Sequence, residues 1–132
     1  MASLFTKIIA GEIPCYKVAE DDHFFAFLDI NPRRKGHTLV VPKQEVDKFF
    51  DLDDELLARM GIFSKRVAAA IKKVCPCDRV AVAVIGLEVP HAHMHLVPIN
   101  HMGDMDFSTA PVNLSKEEMA ETASLIADKV LL

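Results

Sequence analysis

The sequence has little of what membrane, secreted or nucleic-acid-binding proteins need. Its 132 residues contain no apolar run of the ~18 residues that span a bilayer, and the first residues lack a secretory apolar segment. The net charge of −4 provides no basic surface for nucleic acid, so any nucleotide must be bound by local contacts. We therefore expect a cytoplasmic protein without membrane or nucleic-acid partners.

Cysteine is also scarce. The three cysteines, Cys15, Cys75 and Cys77, are an odd number in a chain that is 51% hydrophobic, which argues against a disulfide framework. The sequence "CPC" is not a CxxC motif, so neither a redox site nor a zinc knuckle is predicted. The length suits one domain with one core, over residues 1–132.

The hydrophobic pattern predicts an α+β fold with a mostly antiparallel sheet of five strands. The expected strands contain "CYKVAED", "HFFAFLDI", "HTLVVP", "RVAVAVIG" and the histidine-rich stretch, with a hairpin turn at Asp21 and Asp22. A short helix should end at Gly11. One long helix should cover a face of the sheet after an N-cap at Asp51 or Asp53, and a C-terminal helix should span about residues 115–131.

The stretch "PHAHMHLV" carries the clearest chemical signal. His91, His93 and His95 alternate with the apolar residues Ala92 and Met94. Because successive side chains of a strand point to opposite faces, the three imidazoles should share one face of the sheet.

Three interpretations of these histidines remain open from the residues alone. The first is that they form no site, since single strand histidines are commonly structural. The second is a zinc or copper site, with Glu88 or His37 completing the ligand set. The third is a catalytic site, because an imidazole with a pKa near ~6.5 is a nucleophile and proton carrier at neutral pH.

The stretch "HAHMHLV" resembles the signature of the histidine-triad (HIT) family. The first half of the chain is independently similar to the Hint-type branch, in the phrases "GEIP", "EDD", "AFLDINP" and "GHTLVVPK". The resemblance covers Leu4 to about Pro98 and implies a HIT-like fold. It also implies a homodimer, in which two sheets join along the edge strand "RVAVAV".

The resemblance further implies covalent catalysis. His93 would attack the α-phosphorus of a purine nucleotide and form a nucleotidyl-histidine that water hydrolyses. A hydrogen bond to a backbone carbonyl, that of His91, would fix its tautomer. His95 would donate to a phosphate oxygen or to the leaving group, and His37 matches a further family histidine.

The nucleoside site is implied in the same way. Asp29 matches the family carboxylate that binds the ribose hydroxyls. Phe5, Ile8, Phe27 and Ile30 match the apolar base cleft, although Phe27 is equally explained as a core residue.

Two departures from the family pattern qualify this interpretation. The loop before the triad is contracted, and Leu87 and Glu88 stand where relatives carry Gln and Ser. A carboxylate at Glu88 would repel a phosphate unless it is protonated, turned away or assists a leaving amine. Ser3 and Thr6 replace the cysteine pair of zinc-containing relatives, so we predict no metal and no cofactor.

The favoured function is a nucleotidyl hydrolase or transferase that cleaves a nucleoside phosphoramidate or related purine nucleotide. A dinucleoside polyphosphate hydrolase is an alternative within the enzyme class. A non-catalytic nucleotide-binding or interaction protein is the alternative outside it, motivated by the altered loop.

Overall fold

Three α-helices and five strands lie along residues 2–132, the part of the chain that the computed structural model describes. In chain order they are α1 (Leu4–Ile9), β1 (Lys17–Glu20), β2 (Phe24–Leu28), β3 (Thr38–Pro42), α2 (Asp54–Val74), β4 (Arg79–Ala83), β5 (Met94–Ile99) and α3 (Lys116–Lys129). Short 3-10 turns lie at Phe49–Asp51 and Met102–Met105. Among these residues no helix combines the length and apolar character that crossing a membrane needs.

The strands form one antiparallel sheet in the order β1-β2-β3-β5-β4. The predicted α+β fold with five strands and three helices is therefore confirmed. Strand β4 lies at an edge of the sheet, as expected for "RVAVAV", but it ends at Ala83, before Gly86 with its positive φ of 73°. The strand is shorter than predicted because its pairing with β5 ends where Ala83 meets His95, one residue from the start of β5 at Met94.

Local sequence signals explain where the helices begin. The Asp53 side chain caps α2, the second of the two N-caps predicted for this helix. Ser115 and Glu118 form the predicted capping box of α3. Ser3 caps α1, and Gly11, with φ of 81°, follows its end.

The sheet is covered on both faces, whereas the sequence predicted cover on one. One apolar cluster lies between the sheet and helices α2 and α3, and the other lies under α1. The reason is visible in β2, where all five residues are buried. Phe25 and Phe27 point away from α2, and Phe5 and Ile8 of α1 cover them.

A close approach at Gly36 places the loop before β3 against the end of α2. Gly36 has φ of 97°, and a Cβ at this position would lie 2.6 Å from the Cys75 sulfur. Only glycine meets both conditions without strain. The loop that follows Asp29 is thereby packed tightly, and His37 stands directly before β3.

Candidate active site

Only the last histidine of the triad lies in a regular strand. Strand β5 begins at Met94, so His91 and His93 precede it, and the expectation of a strand through the whole row is wrong. The Ala92 amide donates to the Val46 carbonyl at 2.7 Å, which takes this segment out of the sheet ladder. The imidazoles still converge: the ring centroids of His93 and His95 are 5.0 Å apart.

His93 is held in one tautomer by a backbone contact. Its Nδ1 lies 2.7 Å from the His91 carbonyl oxygen. Because a carbonyl only accepts, Nδ1 carries the hydrogen, and Nε2 of the neutral ring keeps a free lone pair. Burial lowers the pKa of His93, so the ring stays neutral at pH 7. This is the hydrogen bond that the family resemblance implied.

A second chain of hydrogen bonds fixes His37 and His95. The Arg33 amide donates to His37 Nδ1 at 2.9 Å, so the His37 hydrogen is on Nε2. That Nε2 lies 2.9 Å from His95 Nδ1, which must accept. His95 therefore carries its own hydrogen on Nε2. Burial lowers the pKa of His37 to about 3 and that of His95 to about 4.

His91 is fully buried and both of its ring nitrogens have partners. Nε2 donates to the Pro42 carbonyl at 2.8 Å, and Nδ1 lies 2.7 Å from the Ser3 hydroxyl oxygen. His91 does not line the cleft described next, and neither does His37. These two histidines therefore orient His93 and His95 rather than face a ligand.

A cleft of about 540 Å³ opens beside His93 and His95. This volume is in the range of small-molecule sites. The other predicted ligand-binding residues all line it: Phe5, Ile8, Phe27, Asp29, Ile30 and Glu88. Most of the remaining lining is apolar, and it includes Ile85, Gly86, Leu87 and Val89 of the loop that follows β4. Together with His93 and His95, eight of the residues predicted from the sequence thus line one cavity.

Asp29 lies at the polar side of this cleft. Its Oδ1 accepts the Asn31 amide at 2.8 Å, and its Oδ2 lies 3.6 Å from His37 Nε2. Burial is the main cause that raises the pKa of Asp29, and the carboxylate of Glu88 adds to it. Oδ2 is thus the oxygen that is free to accept further hydrogen bonds.

The comparison with known proteins agrees with this geometry. The HIT domain family matches residues 10–102. The chain belongs to the HIT family. It is 44% identical, over 100 residues, to an uncharacterised HIT-like protein of Methanocaldococcus jannaschii, covering 72% of this chain and 77% of that protein.

Two further relatives match nearly end to end. The adenosine 5'-monophosphoramidase of Schizosaccharomyces pombe is 34% identical over 136 residues, which cover 98% of this chain and 99% of that enzyme. The crystal structure of a HIT-like protein from Bartonella henselae superposes with a TM-score of 0.82 at 31% identity, covering 97% of this chain and 96% of that one.

Two parts of the site in this HIT protein were missed from the sequence. The Phe107 ring lies 4.9 Å from the His95 ring and 5.9 Å from the His37 ring, between centroids. The Arg33 guanidinium donates to the backbone carbonyls of Asp106 and Thr109, which holds the Phe107 loop in place. The sequence of this loop has no periodic hydrophobic pattern. The one sequence feature that could have indicated its role is an aromatic residue shortly after the triad strand.

The second missed residue is Glu45, in the loop after β3. Its Oε1 accepts the Ser3 amide at 2.6 Å and the Thr6 hydroxyl at 2.6 Å. Hydrogen bonds, that from Thr6 above all, lower the pKa of this exposed carboxyl to about 2. In the sequence it is an ordinary charged loop residue, far from both helix α1 and the triad.

One group of side chains in this HIT protein has the residue types of a metal site. Potential ligand atoms of Asp29, His37 and His95 lie within 4.8 Å of one another. His37 Nε2, however, donates its hydrogen to His95 Nδ1, so the two nitrogens satisfy each other and do not fit an ion. The hydroxyls of Ser3 and Thr6 likewise have protein partners. The absence of a metal stays a prediction that these contacts support.

Proposed function

We propose that this HIT protein is a nucleotidyl hydrolase that acts at the α-phosphate of a nucleoside phosphoramidate or related purine nucleotide. One observation carries the proposal: the free lone pair of His93 Nε2 and the hydrogen on His95 Nε2 lie beside the same ligand-sized cleft. A nucleophile next to a hydrogen-bond donor is the arrangement that displacement at phosphorus needs. The Schizosaccharomyces pombe relative, a monophosphoramidase, supports the same substrate class.

The reaction would proceed in two displacements. In the first, His93 Nε2 forms a bond to the α-phosphorus, and the bond from phosphorus to the leaving nitrogen breaks. The His95 Nε2–H donates to a phosphate oxygen or to the leaving nitrogen, which departs as the amine with a proton from His95 or from solvent water. In the second, water attacks the phosphorus of the nucleotidyl-histidine, and the bond from phosphorus to His93 Nε2 breaks. The proton that the water loses returns to His95 or to the solvent, and a nucleoside monophosphate leaves.

The cleft would hold the nucleoside by its two chemically different sides. Asp29 Oδ2 would accept the ribose hydroxyls, as acidic residues do in other nucleotide sites. The base would lie among the apolar side chains of Phe5, Ile8, Phe27 and Ile30. Three of these four are buried, whereas Ile30 is 72% exposed and would become covered by the base.

The position of Glu88 favours this substrate over a dinucleoside polyphosphate. Glu88 lines the cleft together with Asp29, and two carboxylates oppose the several negative charges of a polyphosphate chain. An amine leaving group would meet no such repulsion. The same exposed Glu88 is the reason to keep a non-catalytic nucleotide-binding protein as an outcome of the test.

We also propose a symmetric homodimer through β4. This edge strand and the residues after it expose Val82, Val84 and Ile85, at 56%, 39% and 46%. An apolar strand with unpaired amides pairs readily with a second copy, and antiparallel pairing of two β4 strands would extend the sheet across both protomers.

The deciding experiment compares the wild type with His93→Ala and with the control variant His23→Ala, since His23 is exposed and lines no part of the cleft. Each protein receives adenosine 5'-phosphoramidate, and AMP release and intact mass are followed. We expect turnover and a transient adenylyl adduct for the wild type and the control, and neither for His93→Ala. AMP binding without turnover in all three proteins would establish a binding module instead.

A further inference from the structure

A cluster of polar side chains joins the start of α1 to the triad segment. This N-terminal polar cluster consists of Ser3, Thr6, Glu45 and His91. Ser3 Oγ lies 2.7 Å from His91 Nδ1, and Glu45 Oε1 receives the Ser3 amide and the Thr6 hydroxyl. Ser3 and His91 are both buried, at 7% and 0% exposure, so their contact is shielded from water.

The partner groups at the two ends of this cluster determine which atom donates in each hydrogen bond. His91 Nε2 faces the Pro42 carbonyl, which only accepts, so Nδ1 carries no hydrogen. The Ser3 hydroxyl must therefore donate to Nδ1, while its oxygen accepts the Thr6 amide at 3.0 Å as the N-cap of α1. The other acceptor near the Ser3 hydroxyl, Thr6 Oγ1, is farther away at 3.2 Å. Ser3 thus both caps the helix and holds the His91 ring by donating to the nitrogen that the Pro42 carbonyl leaves without a hydrogen.

Glu45 holds Ser3 and Thr6 at the start of α1. It is an acceptor for a backbone amide at Ser3 and for a hydroxyl at Thr6, and it is ionised at neutral pH. Charge-assisted hydrogen bonds of this kind are shorter and stronger than neutral ones. Glu45 therefore fixes the first turn of α1 relative to the loop after β3.

The cluster acts on His93 through the His91 backbone. The carbonyl that orients His93 belongs to the residue whose ring is locked at both nitrogens. Phe5, between the two hydroxyl residues of α1, packs against the rings of His91 and His93 at centroid distances of 5.8 and 5.0 Å. Any movement of this helix turn would shift the imidazole that carries the lone pair.

We propose that Ser3 is a positioning residue of the active site, with Thr6 and Glu45 as its support: its hydroxyl donates to Nδ1 of the His91 ring, holds that ring in place and thereby orients His93. The kinetic part of this proposal rests on the proposed function, whereas the hydrogen bond from Ser3 to His91 does not. The sequence interpretation treated Ser3 only as a replacement for a cysteine. The geometry assigns it a contact of its own.

The test uses two variants of equal size, Ser3→Asn and Ser3→Asp. The side-chain amide of Asn can accept a hydrogen bond from the Thr6 backbone N–H and donate one to His91 Nδ1. An ionised Asp can accept the bond that caps the helix but has no hydrogen to donate. Beside His91 Nδ1 the Asp carboxylate favours the protonated ring. Glu45 and His93 are the other titratable groups next to this ring, and both are present in each variant.

Two readouts follow. The first is the ring ¹⁵N chemical shifts of His91 at pH 7.5, where we expect a neutral Nε2–H ring in the wild type and Ser3→Asn and a doubly protonated ring in Ser3→Asp. The second is turnover of adenosine 5'-phosphoramidate, where we expect kcat of Ser3→Asp to be about tenfold below that of Ser3→Asn, equivalent to one misplaced hydrogen bond. KM should differ much less, because the cleft lining is unchanged.

An unaltered His91 ring in Ser3→Asp would overturn the proposal. Altered shifts with equal kcat values in the two variants would overturn the link to His93. If no protein turns over, the wild type included, the proposed function fails while the ring shifts still decide the role of Ser3.

A second pair guards against misfolding of Ser3→Asp. Glu45 is exposed, so replacing its side chain leaves no cavity in the core. Gln at this position keeps an acceptor oxygen for Ser3 and Thr6, whereas Ala removes it. We expect a lower kcat for Glu45→Ala than for Glu45→Gln, and equal values would overturn the supporting role of Glu45.

Discussion

Acidification from pH 7 to pH 5 should destabilise this protein through its buried imidazoles. His37 and His95 are 1% and 8% exposed, and burial lowers their pKa to about 3 and about 4. Both rings thus stay neutral in the folded state at pH 5. In the unfolded chain they bind protons below ~6.5, so acid stabilises the unfolded state and the free energy of unfolding falls.

The magnitude follows from the distance between pH 5 and the unfolded pKa. A gap of ~1.5 pH units at ~1.4 kcal/mol per unit gives ~2 kcal/mol for each histidine, or roughly 3 to 4 kcal/mol for the pair. This is a large part of an ordinary stability of about 5–15 kcal/mol. The carboxyls of Glu45 and Asp104, with pKa values lowered to about 2, contribute their own loss only at lower pH.

Urea unfolding at pH 7, 6 and 5, at one fixed protein concentration, measures this loss. In His37→Gln the amide can still donate to His95 but no longer titrates, so the decline between pH 7 and 5 should shrink by about 2 kcal/mol. His23→Gln, at an exposed position, should decline like the wild type. A stability that is equal at pH 7 and 5, or an undiminished decline in His37→Gln, would refute the reasoning.

Three further predictions concern other parts of the molecule. Gly36→Ala should lower the free energy of unfolding, measured in urea, by roughly 2 kcal/mol or more, because φ is positive and the new Cβ would lie 2.6 Å from a buried sulfur. The control Gly61→Ala, in helix α2, has open space around its Cβ and should not lower the free energy of unfolding. Phe107→Ala should reduce kcat/KM on the order of tenfold by freeing the His95 ring; an unchanged value would remove Phe107 from the site. Val82→Lys should convert a dimer into a monomer in gel filtration, and an unchanged elution volume would contradict pairing through β4.

The parts of the fold that were predictable depend on local signals. Asp53 and Ser115 are N-caps whose side chains bond to amides within their own first turn, so the sequence contains the whole interaction. The antiparallel order of the strands also follows from short connections such as the turn at Asp21. The cover on the second face was missed because α1 has only six residues, too few for its apolar side to be conclusive.

The ends of the strands were less predictable, for a physical reason. The alternation of His91 to His95 is uniform, yet the ladder starts only where Met94 meets Val40 of β3. Before that point the Ala92 amide pairs with Val46 instead. The alternation of polar and apolar residues indicates which face of the sheet a side chain occupies. The length of a strand depends instead on where a partner backbone is present to pair with it.

The site residues whose own side chain carries the chemistry were predictable. The residues whose role depends on a contact with a distant part of the chain were not. The row of imidazoles has a residue type and a spacing with known chemistry, and Asp29 was assigned through the family resemblance. Glu45 and Phe107 have roles only because folding brings a loop to α1 and another loop to His95. Long-range contacts of this kind leave no periodic trace in one sequence.

The two hydrogen-bond chains give the site its chemical direction before any ligand binds. One runs from the Ser3 hydroxyl through His91 to His93, and the other runs from the Arg33 amide through His37. Each chain contains a backbone group that can only donate or only accept a hydrogen bond. Reversing a tautomer would therefore leave a buried polar group unpaired, at a cost of ~1–3 kcal/mol. The lone pair at His93 and the hydrogen at His95 are therefore consequences of fixed backbone groups. Because these groups need no substrate to be in place, the nucleophile and the donor of the reaction that we propose are positioned in advance.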